Sequence, residues 1–226
     1  MPILPEIILV LNLIAIITID LSNKDKNTNL IYKISLVSLF VGAVVLACQW
    51  EFSIVSERSH MSDFSNIFRF LLLICSLLSV SSSVDYILCS KVALAEFLLF
   101  KLTAGLGGMV LSCANDLVTI YVSLELLALS SCFLSGYTKR DVRSNEASMK
   151  FLSMSGASSS FILYGFSLLY GPSGGQLQLN ETVGKILLDQ NVSITYISAA
   201  FITAGTAFKL SLFPFHQWTP DVYEGV

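Results

Sequence analysis

The chain has 226 residues, of which 54% are hydrophobic and only 13% are charged, and its mean hydropathy is +0.73. A soluble domain of this size carries about 25% charged residues, so this composition excludes an ordinary soluble domain and predicts a polytopic membrane protein. The net charge of −3, with no basic patch, gives no reason to expect a nucleic acid as a partner.

Seven apolar segments are long enough to cross a bilayer as helices, which takes about 20 residues each. Helices are required because no water in the bilayer satisfies exposed backbone groups. The predicted spans are residues 3–21, 30–49, 64–84, 92–113, 117–137, 147–170 and 194–213. The first segment has no basic leader and no small-residue cleavage site, so we expect a retained helix and not a signal peptide.

Polar stretches connect the spans, and their basic residues are unevenly distributed. Connections one, three and five, with their flanks, carry Lys24, Lys26, Lys33, Lys91, Lys139, Arg140, Arg143 and Lys150. Connections two, four and six carry Arg58, Arg69 and Lys185. The positive-inside bias therefore predicts that the odd-numbered connections face the cytoplasm-like side and that the N-terminus faces the other side.

The sequence contains no pattern typical of a metal or cofactor site. The cysteines stand singly, without a CxxC pair, and are expected to be packing residues: Cys48, Cys75, Cys89, Cys113 and Cys132. No dinucleotide-binding glycine motif, Walker motif or nucleophile elbow is present. We therefore expect no nicotinamide, flavin, iron–sulfur cluster or metal to bind this chain.

An acidic residue, Glu125, lies near the middle of the fifth predicted span, within DLVTIYVSLELLALSSCFLSGY. A charge at that depth costs about 2.5–3.5 kcal/mol and is a functional candidate, because such residues face a bundle interior or a water-filled cavity. No cation lies at helical spacing from it, so Glu125 requires a partner from another helix or a proton. The alternative is a structural carboxyl group that is hydrogen-bonded inside the bundle.

Three further residues are candidates for proton chemistry. Lys209 precedes Pro214 in the last apolar span, where a broken helix can line a polar cavity. The alternative is that Lys209 snorkels to the surface. Lys101, in AEFLLFKLTAGLGGMVL, has two possible interpretations: its side chain snorkels to the surface, or it lines a cavity. His216, in a polar turn that leads into an eighth helix, can relay protons or cap the turn.

A lysine and a glutamate that meet in a dry interior form a protonation switch. Two unit charges about 4 Å apart interact by roughly 4 kcal/mol at an effective dielectric constant near 20. While the pair is closed, the lysine keeps its proton, and when the pair opens, the desolvated lysine can release it.

The stretch FKLSLFPFHQWTPDVYEG resembles the signature of the antiporter-like membrane subunits of respiratory complex I, and within that group subunit 2, the N-type subunit. LTAGLGGMVLSCANDLVTIYVSLELLALSSCFLSGY and KRDVRSNEASMKFLSMSGASSSFILYGFSLLYGPSGG support the resemblance, which extends from Pro5 onward. DVRSNEASMK, GASSS, LLYGPSGG and the Val226 after YEG are most similar to the plastid and cyanobacterial branch. The mitochondrial branch is the alternative.

The resemblance implies an all-α polytopic fold of about fourteen helices, in which three N-terminal helices precede two inverted five-helix repeats. Residues 1–91 would be the three N-terminal helices, and residues 92–226 an incomplete first repeat that ends at the start of helix eight. The second repeat and its lysine have no counterpart in this sequence, so we expect an N-terminal fragment.

The resemblance also assigns roles to single residues. It matches Glu125 to the glutamate of helix five, Lys209 to the lysine of the broken helix seven, and His216 to the histidine that follows. All three would take part in proton transfer. Lys101 stands where the family pattern is apolar, so the resemblance gives it no role.

The function implied is that of a proton-translocating, multi-pass subunit of an NAD(P)H–quinone oxidoreductase in the plastid thylakoid membrane. Its partners would be lipid and the other membrane and hydrophilic subunits. The complex would use iron–sulfur clusters, plastoquinone, and ferredoxin or NAD(P)H, with no redox centre in this chain. The alternatives are subunit 2 of complex I in the mitochondrial inner membrane, a sodium–proton antiporter subunit of the same superfamily, and a structural scaffold with silent charges.

Overall fold

The structure is a computed structural model, and it describes residues 4–22, 28–56, 63–90, 93–138, 141–188 and 192–226. Within these residues the chain is helical, apart from turns and one antiparallel bridge between Asp116 and Gln178. The helices are α1 (Leu4–Ser22), α2 (Thr28–Ser56), α3 (Asp63–Ser90), α4 (Leu94–Cys113), α5 (Leu117–Ser135), α6 (Val142–Tyr170), α7 (Leu179–Leu188), α8 (Val192–Lys209) and α9 (Trp218–Gly225).

The chain divides into two compact units, Met1–Cys113 and Ala114–Val226. Unit 1 contains α1 to α4, and unit 2 contains α5 to α9. The predicted division at residue 91 refers to an internal repeat and not to compactness, so it stays a prediction.

Unit 1 is a four-helix bundle, because α1 packs on α2 and α4, and α3 packs on α2 and α4. Its core is built from apolar side chains that recur at helical spacing and are almost fully buried: Leu9, Ile16, Leu39, Leu46, Leu73, Val80, Leu98, Leu102 and Met109. Large apolar side chains also cover the outer faces, among them Leu11, Phe40 and Leu78. Helices that are apolar on all sides suit a lipid surround.

Unit 2 is organised around α6, which packs against α5, α8 and α9. The approach of α8 to α6 is closest at Gly205, where a Cβ atom would lie 2.5 Å from Ile162 Cγ1 and 2.8 Å from the carbonyl oxygen of Ser158. Gly165 on α6 meets α8 in the same way, at Ile202 and Ser198. Small residues permit this close packing of membrane helices.

Six of the described helices, α1 to α6, are long and apolar enough to cross a membrane. They correspond to the first six predicted spans, and the all-α polytopic fold class is confirmed. The seventh predicted span is only partly correct: α8 ends at Lys209, whereas the prediction ran to residue 213, and α8 is not among the six.

Several predicted connections are shorter than expected. The long connection after α6 contains a short helix, α7, which the apolar pattern did not indicate and which includes Lys185. Arg143 lies inside α6. Arg69, assigned to the second connection, is instead a buried residue of α3. Lys24, Lys26, Arg58, Lys91, Lys139 and Arg140 lie outside the described residues. The predicted sidedness therefore stays a prediction.

Candidate functional site

Glu125 of α5 and Lys209 of α8 form an ion pair inside unit 2. Lys209 Nζ donates a hydrogen bond to Glu125 Oε1 over 3.3 Å. The Glu125 side chain is 25% exposed and the Lys209 side chain is 17% exposed, so both groups are mostly buried within unit 2. The structure thus brings together the two membrane charges that the sequence places 84 residues apart.

Lys209 is the last helical residue of α8 because the helix closes there in a Schellman motif. The N–H of Leu212 donates to the carbonyl oxygen of Ala207 over 2.9 Å, and the N–H of Ser211 donates to that of Phe208 over 3.3 Å. Ser211 adopts a φ of 54°, the left-handed conformation that this motif requires. The chain then turns through Pro214 before α9 begins.

An aromatic cluster holds the end of α8 against α6 and α9. The Phe208 ring stacks on Phe215 and Phe161, with centroid separations of 4.0 and 6.0 Å. Trp218 packs against Phe151 of α6 and donates its indole N–H to the carbonyl oxygen of Phe208 over 3.2 Å. The residue before Lys209 is therefore fixed through both its ring and its backbone.

His216 lies in the turn between α8 and α9, as the sequence predicts, but the structure does not bring it to the pair. Its ring is exposed and contacts the ring of Phe213 at a centroid distance of 5.8 Å. Within the described residues no hydrogen bond joins the imidazole to Glu125 or Lys209. Its backbone carbonyl accepts the N–H of Thr219 over 3.1 Å.

Lys101 belongs to unit 1, whereas Glu125 and Lys209 belong to unit 2. Its ammonium group donates to the carbonyl oxygen of Ser79 on α3 over 2.8 Å and lies 5.3 Å from the centroid of the Phe97 ring. The side chain is half-buried at mid-helix. This placement does not fit a lysine at the end of a span.

Sequence reasoning missed an ion pair in the core of unit 1, between Glu6 of α1 and Arg69 of α3. Arg69 Nη2 donates to Glu6 Oε1, and Arg69 Nη1 donates to Asn66 Oδ1 over 3.4 Å. Both charged residues are buried. A signal was present, because each of them adjoins an uninterrupted apolar run, IILVL after Glu6 and FLLLI after Arg69.

In the part of the chain that the structure describes, no group of three or more His, Cys, Asp or Glu side chains is arranged to hold a metal ion. Cys48, Cys75, Cys113 and Cys132 are free thiols, and the side chain of Cys89 lies outside the description. The site built by α5 and α8 therefore has one carboxylate, one ammonium group and polar backbone with which to perform chemistry, and these groups can hold or transfer a proton.

Two family profiles match the sequence. The membrane family described as NADH:quinone oxidoreductase/Mrp antiporter matches residues 114–226. The chain belongs to this family. The N-terminal domain of NAD(P)H-quinone oxidoreductase subunit 2 matches residues 1–85. The matches thus fall on α1 to α3 and on unit 2, and they assign the chain to the antiporter-like membrane subunits.

Solved structures support the assignment of the antiporter-like fold. A chain of respiratory complex I from Thermus thermophilus, solved with aureothin, is 25% identical, with a TM-score of 0.77 over 97% of this chain and 47% of its own. A chain of an archaeal membrane-bound sulfane sulfur reductase is 20% identical, with a TM-score of 0.82, and the match covers 100% of this chain and 48% of that one. A chain of the Mrp complex from Dietzia sp. DQ12-45-1b is 17% identical, with a TM-score of 0.74, and the match covers 98% of this chain and 43% of that one. The chain spans about half the length of these relatives.

Proposed function

We propose that this chain is a proton-translocating membrane subunit of a complex I-like NAD(P)H–quinone oxidoreductase. The observation that carries the proposal is the ion pair between Glu125 and Lys209 at the point where α8 ends. Membership of the NADH:quinone oxidoreductase/Mrp antiporter family supports it. The subunit 2 profile over residues 1–85 favours the quinone oxidoreductase branch of that family.

The pair acts as a gate for one proton. In the closed state the carboxylate of Glu125 stabilises the charged form of Lys209, because opposite charges about 4 Å apart attract by roughly 4 kcal/mol at an effective dielectric constant near 20. Separation of the two groups removes that attraction and leaves the ammonium group without its counter-charge. Lys209 then passes its proton to water, and closure of the pair favours the uptake of a new one.

The end of α8 gives this gate a place to move. Lys209 is the last residue of α8 and its backbone is held by the Schellman hydrogen bonds, so rotation of its long side chain separates the ammonium group from Glu125 while the backbone stays in place. His216 follows in the same turn. In the proposed gating mechanism its exposed side chain rotates and carries the proton onward. Helices interrupted at membrane depth serve ion sites in many transporters.

The finer identity that we propose is subunit 2 of a plastid complex in the thylakoid membrane. The resemblance of DVRSNEASMK and LLYGPSGG to the plastid and cyanobacterial branch supports this assignment. The partners would be the other membrane and hydrophilic subunits, which carry the iron–sulfur clusters and pass electrons from ferredoxin or NAD(P)H to plastoquinone. This chain would contribute proton transfer alone.

The deciding experiment replaces Glu125 with Gln in the whole complex, reconstituted in proteoliposomes. Proton uptake per quinone reduced is measured beside the rate of electron transfer through the hydrophilic arm. We expect E125Q to lower proton uptake while electron transfer from donor to soluble acceptor survives. Glu181→Gln, at an exposed position of α7, is the matched control and should keep both activities. Unchanged proton uptake in E125Q would remove the pair from the mechanism.

The second candidate function is that of a sodium–proton antiporter subunit without a redox partner. The shared family description and the similar fold of the Dietzia Mrp complex favour it. Purification of the native assembly separates the two functions, because flavin and iron–sulfur subunits accompany the chain only in the quinone oxidoreductase. Sodium-dependent proton exchange by an assembly without such subunits would establish the antiporter.

A further inference from the structure

Unit 1 contains polar groups at its centre that the proton gate of unit 2 does not use. Asn12 of α1 is 4% exposed, and neither its Oδ1 nor its Nδ2 has a hydrogen-bond partner. Glu6 Oε2, on the same buried stripe of α1, also has no partner. An amide that is buried in an apolar environment without hydrogen bonds is strongly disfavoured, so such a group indicates a ligand or water.

Lys101 is the second unusual group. It is the eighth residue of the 20-residue helix α4, so its charge lies close to mid-span. Its ammonium group has a backbone carbonyl and an aromatic ring for partners. The other charged side chains that the structure describes in unit 1, none of which pairs with Lys101, are Glu6, Asp20, Lys33, Arg69 and Glu96.

The Ser79 carbonyl that accepts Lys101 lies in a serine-rich stretch of α3. The same oxygen accepts the hydroxyl of Ser82 over 3.2 Å, and the hydroxyl of Ser79 donates to the carbonyl of Ser76 over 3.0 Å. The neighbouring hydroxyls of Ser81 and Ser83 are likewise bonded to backbone carbonyls one turn earlier. Among the side chains that the structure describes, the ammonium group therefore has a carbonyl dipole and an aromatic ring as partners and no carboxylate.

These groups lie at successive depths of one bundle. The ion pair sets Glu6 of α1 level with Arg69 of α3, and α1 and α3 run in the same direction because consecutive spans alternate. At about 1.5 Å per residue, Asn12 lies about 9 Å further into the bundle and Ser79, with Lys101, about 15 Å. Asn12 and Lys101 therefore differ by about 6 Å in depth along the bundle axis.

A cavity lies beside this line of polar groups. Its volume is about 10 Å³, close to the roughly 10–15 Å³ that one water molecule requires. Ser76 supplies the one polar side chain of its lining, which is otherwise apolar: Leu9, Leu39, Leu72, Leu73, Leu102, Gly105 and Met109. Leu9 lies between Glu6 and Asn12 along α1, so the cavity lies at a depth between theirs.

From these observations we propose that unit 1 encloses a hydrated polar path, from the Glu6–Arg69 pair through Asn12 to Lys101, whose ligand is water and whose cargo is a proton. In the transfer step the N–H bond of the Lys101 ammonium breaks and an O–H bond forms on the neighbouring water. The lysine becomes a neutral amine, the water becomes hydronium, and no electron changes hands. The path lies outside the proposed gate, but its transport assay rests on the proposed function.

The first test is a cryo-EM map of the assembled complex at a resolution that shows water elsewhere in its membrane part. We expect water within hydrogen-bond distance of the Asn12 amide and in the cavity beside Gly105. A dry Asn12 and a dry cavity in such a map would overturn the proposal, whatever the transport measurements show.

The second test measures protons taken up per quinone reduced for variants that close the path. Lys101→Met removes the proton carrier, and Asn12→Leu removes the amide at similar volume. Gly105→Ala adds a methyl group at the cavity, which is sterically tolerated because the nearest atom to a Cβ there is Ser76 Cβ at 3.9 Å. All three should lower the ratio while native gels show an assembled complex.

Two control variants lie outside the path. Lys33→Met removes an exposed lysine of α2. Gly156→Ala adds a methyl group to α6 of unit 2, where nothing lies within 4 Å of a Cβ atom. Both should keep the wild-type ratio. The same ratio in all three path variants and in wild type would overturn the path.

The outcomes for the two proposals are distinguishable. A lower ratio in Lys101→Met with an unchanged ratio in Glu125→Gln supports the path and removes the gate. The reverse result supports the gate and removes the path. If Lys101→Met does not assemble, Gly105→Ala and the water density of the wild-type map still decide.

Discussion

The indole nitrogen of Trp218 donates a hydrogen bond of 3.2 Å to the carbonyl oxygen of Phe208, the residue that precedes Lys209. This carbonyl belongs to the last turn of α8, and it also accepts the N–H of Ser211 in the Schellman motif. Trp218 therefore connects the start of α9 to the segment of backbone that carries the lysine of the ion pair. We regard it as a positioning residue for Lys209.

Trp218→Phe should loosen this segment while keeping an aromatic ring against Phe151. The lost hydrogen bond contributes about 0.5–1.5 kcal/mol, so the complex should assemble and proton uptake per quinone reduced should fall moderately. Tyr196→Phe, which removes a polar group from an exposed position of α8, is the control. Equal proton uptake in Trp218→Phe and wild type would contradict a positioning role.

Ser211→Gly should stabilise the end of α8. Ser211 is held at a φ of 54°, a conformation that is unstrained for glycine and that disfavours a residue with a Cβ atom by about 1–2 kcal/mol. Ser211→Val should lower stability, since a β-branched side chain fits that conformation least well. The thermal midpoint of the purified complex, or of the chain in detergent, should therefore rise in the glycine variant and fall in the valine variant. The opposite order would show that the Schellman motif does not govern the end of the helix.

Gly205→Ala should weaken the contact between α6 and α8. The added Cβ atom would lie 2.8 Å from the Ser158 carbonyl oxygen, a backbone atom that cannot rotate away. Overpacking of this kind costs about 1–3 kcal/mol. Gly156→Ala on α6 is the control, because nothing lies within 4 Å of a Cβ atom there. We expect a lower thermal midpoint for Gly205→Ala and an unchanged or higher one for Gly156→Ala, and equal midpoints would refute the close approach.

Arg69→Gln should destabilise unit 1 strongly. Glu6 is buried, and its carboxylate has the guanidinium of Arg69 as its ion-pair partner. Removal of one member of a buried pair costs about 3–5 kcal/mol because a buried charge remains. The double variant Glu6→Gln and Arg69→Gln should recover part of this loss, which a double-mutant cycle of thermal midpoints measures. Additive effects of the two single variants would show that the residues do not interact.

The sequence predicted the first six spans because each of them is an apolar run of bilayer length, and that property is local. Their ends were predicted less well. α2, α3 and α6 extend beyond the apolar runs into polar residues such as Arg143, since hydrogen bonds continue a helix past the point where hydropathy falls. The short helix α7 has no long apolar run, so hydropathy does not predict it.

The sequence predicts which residues form the candidate site, but it does not predict how they are arranged in space. Glu125 and Lys209 stood out because a charge within an apolar span is costly, and that cost can be read from the residue and its neighbours. Their contact over 3.3 Å depends on the packing of α5 and α8 in one unit, which the spacing of 84 residues does not encode. For the same reason the sequence does not predict the partner of Lys101. The acceptor is the backbone carbonyl of Ser79, and a backbone atom has no signature in the sequence.

By itself the sequence determined that this chain is a helical membrane protein with a few charges at depth, because free energies of transfer are properties of single side chains and short runs. The tertiary structure alone decided that Lys209 pairs with Glu125, that Arg69 is a core residue paired with Glu6, and that His216 lies apart in an exposed turn. These outcomes depend on which helices are neighbours and at what register, and the close approach of backbones at Gly205 and the left-handed turn at Ser211 fix that register in unit 2.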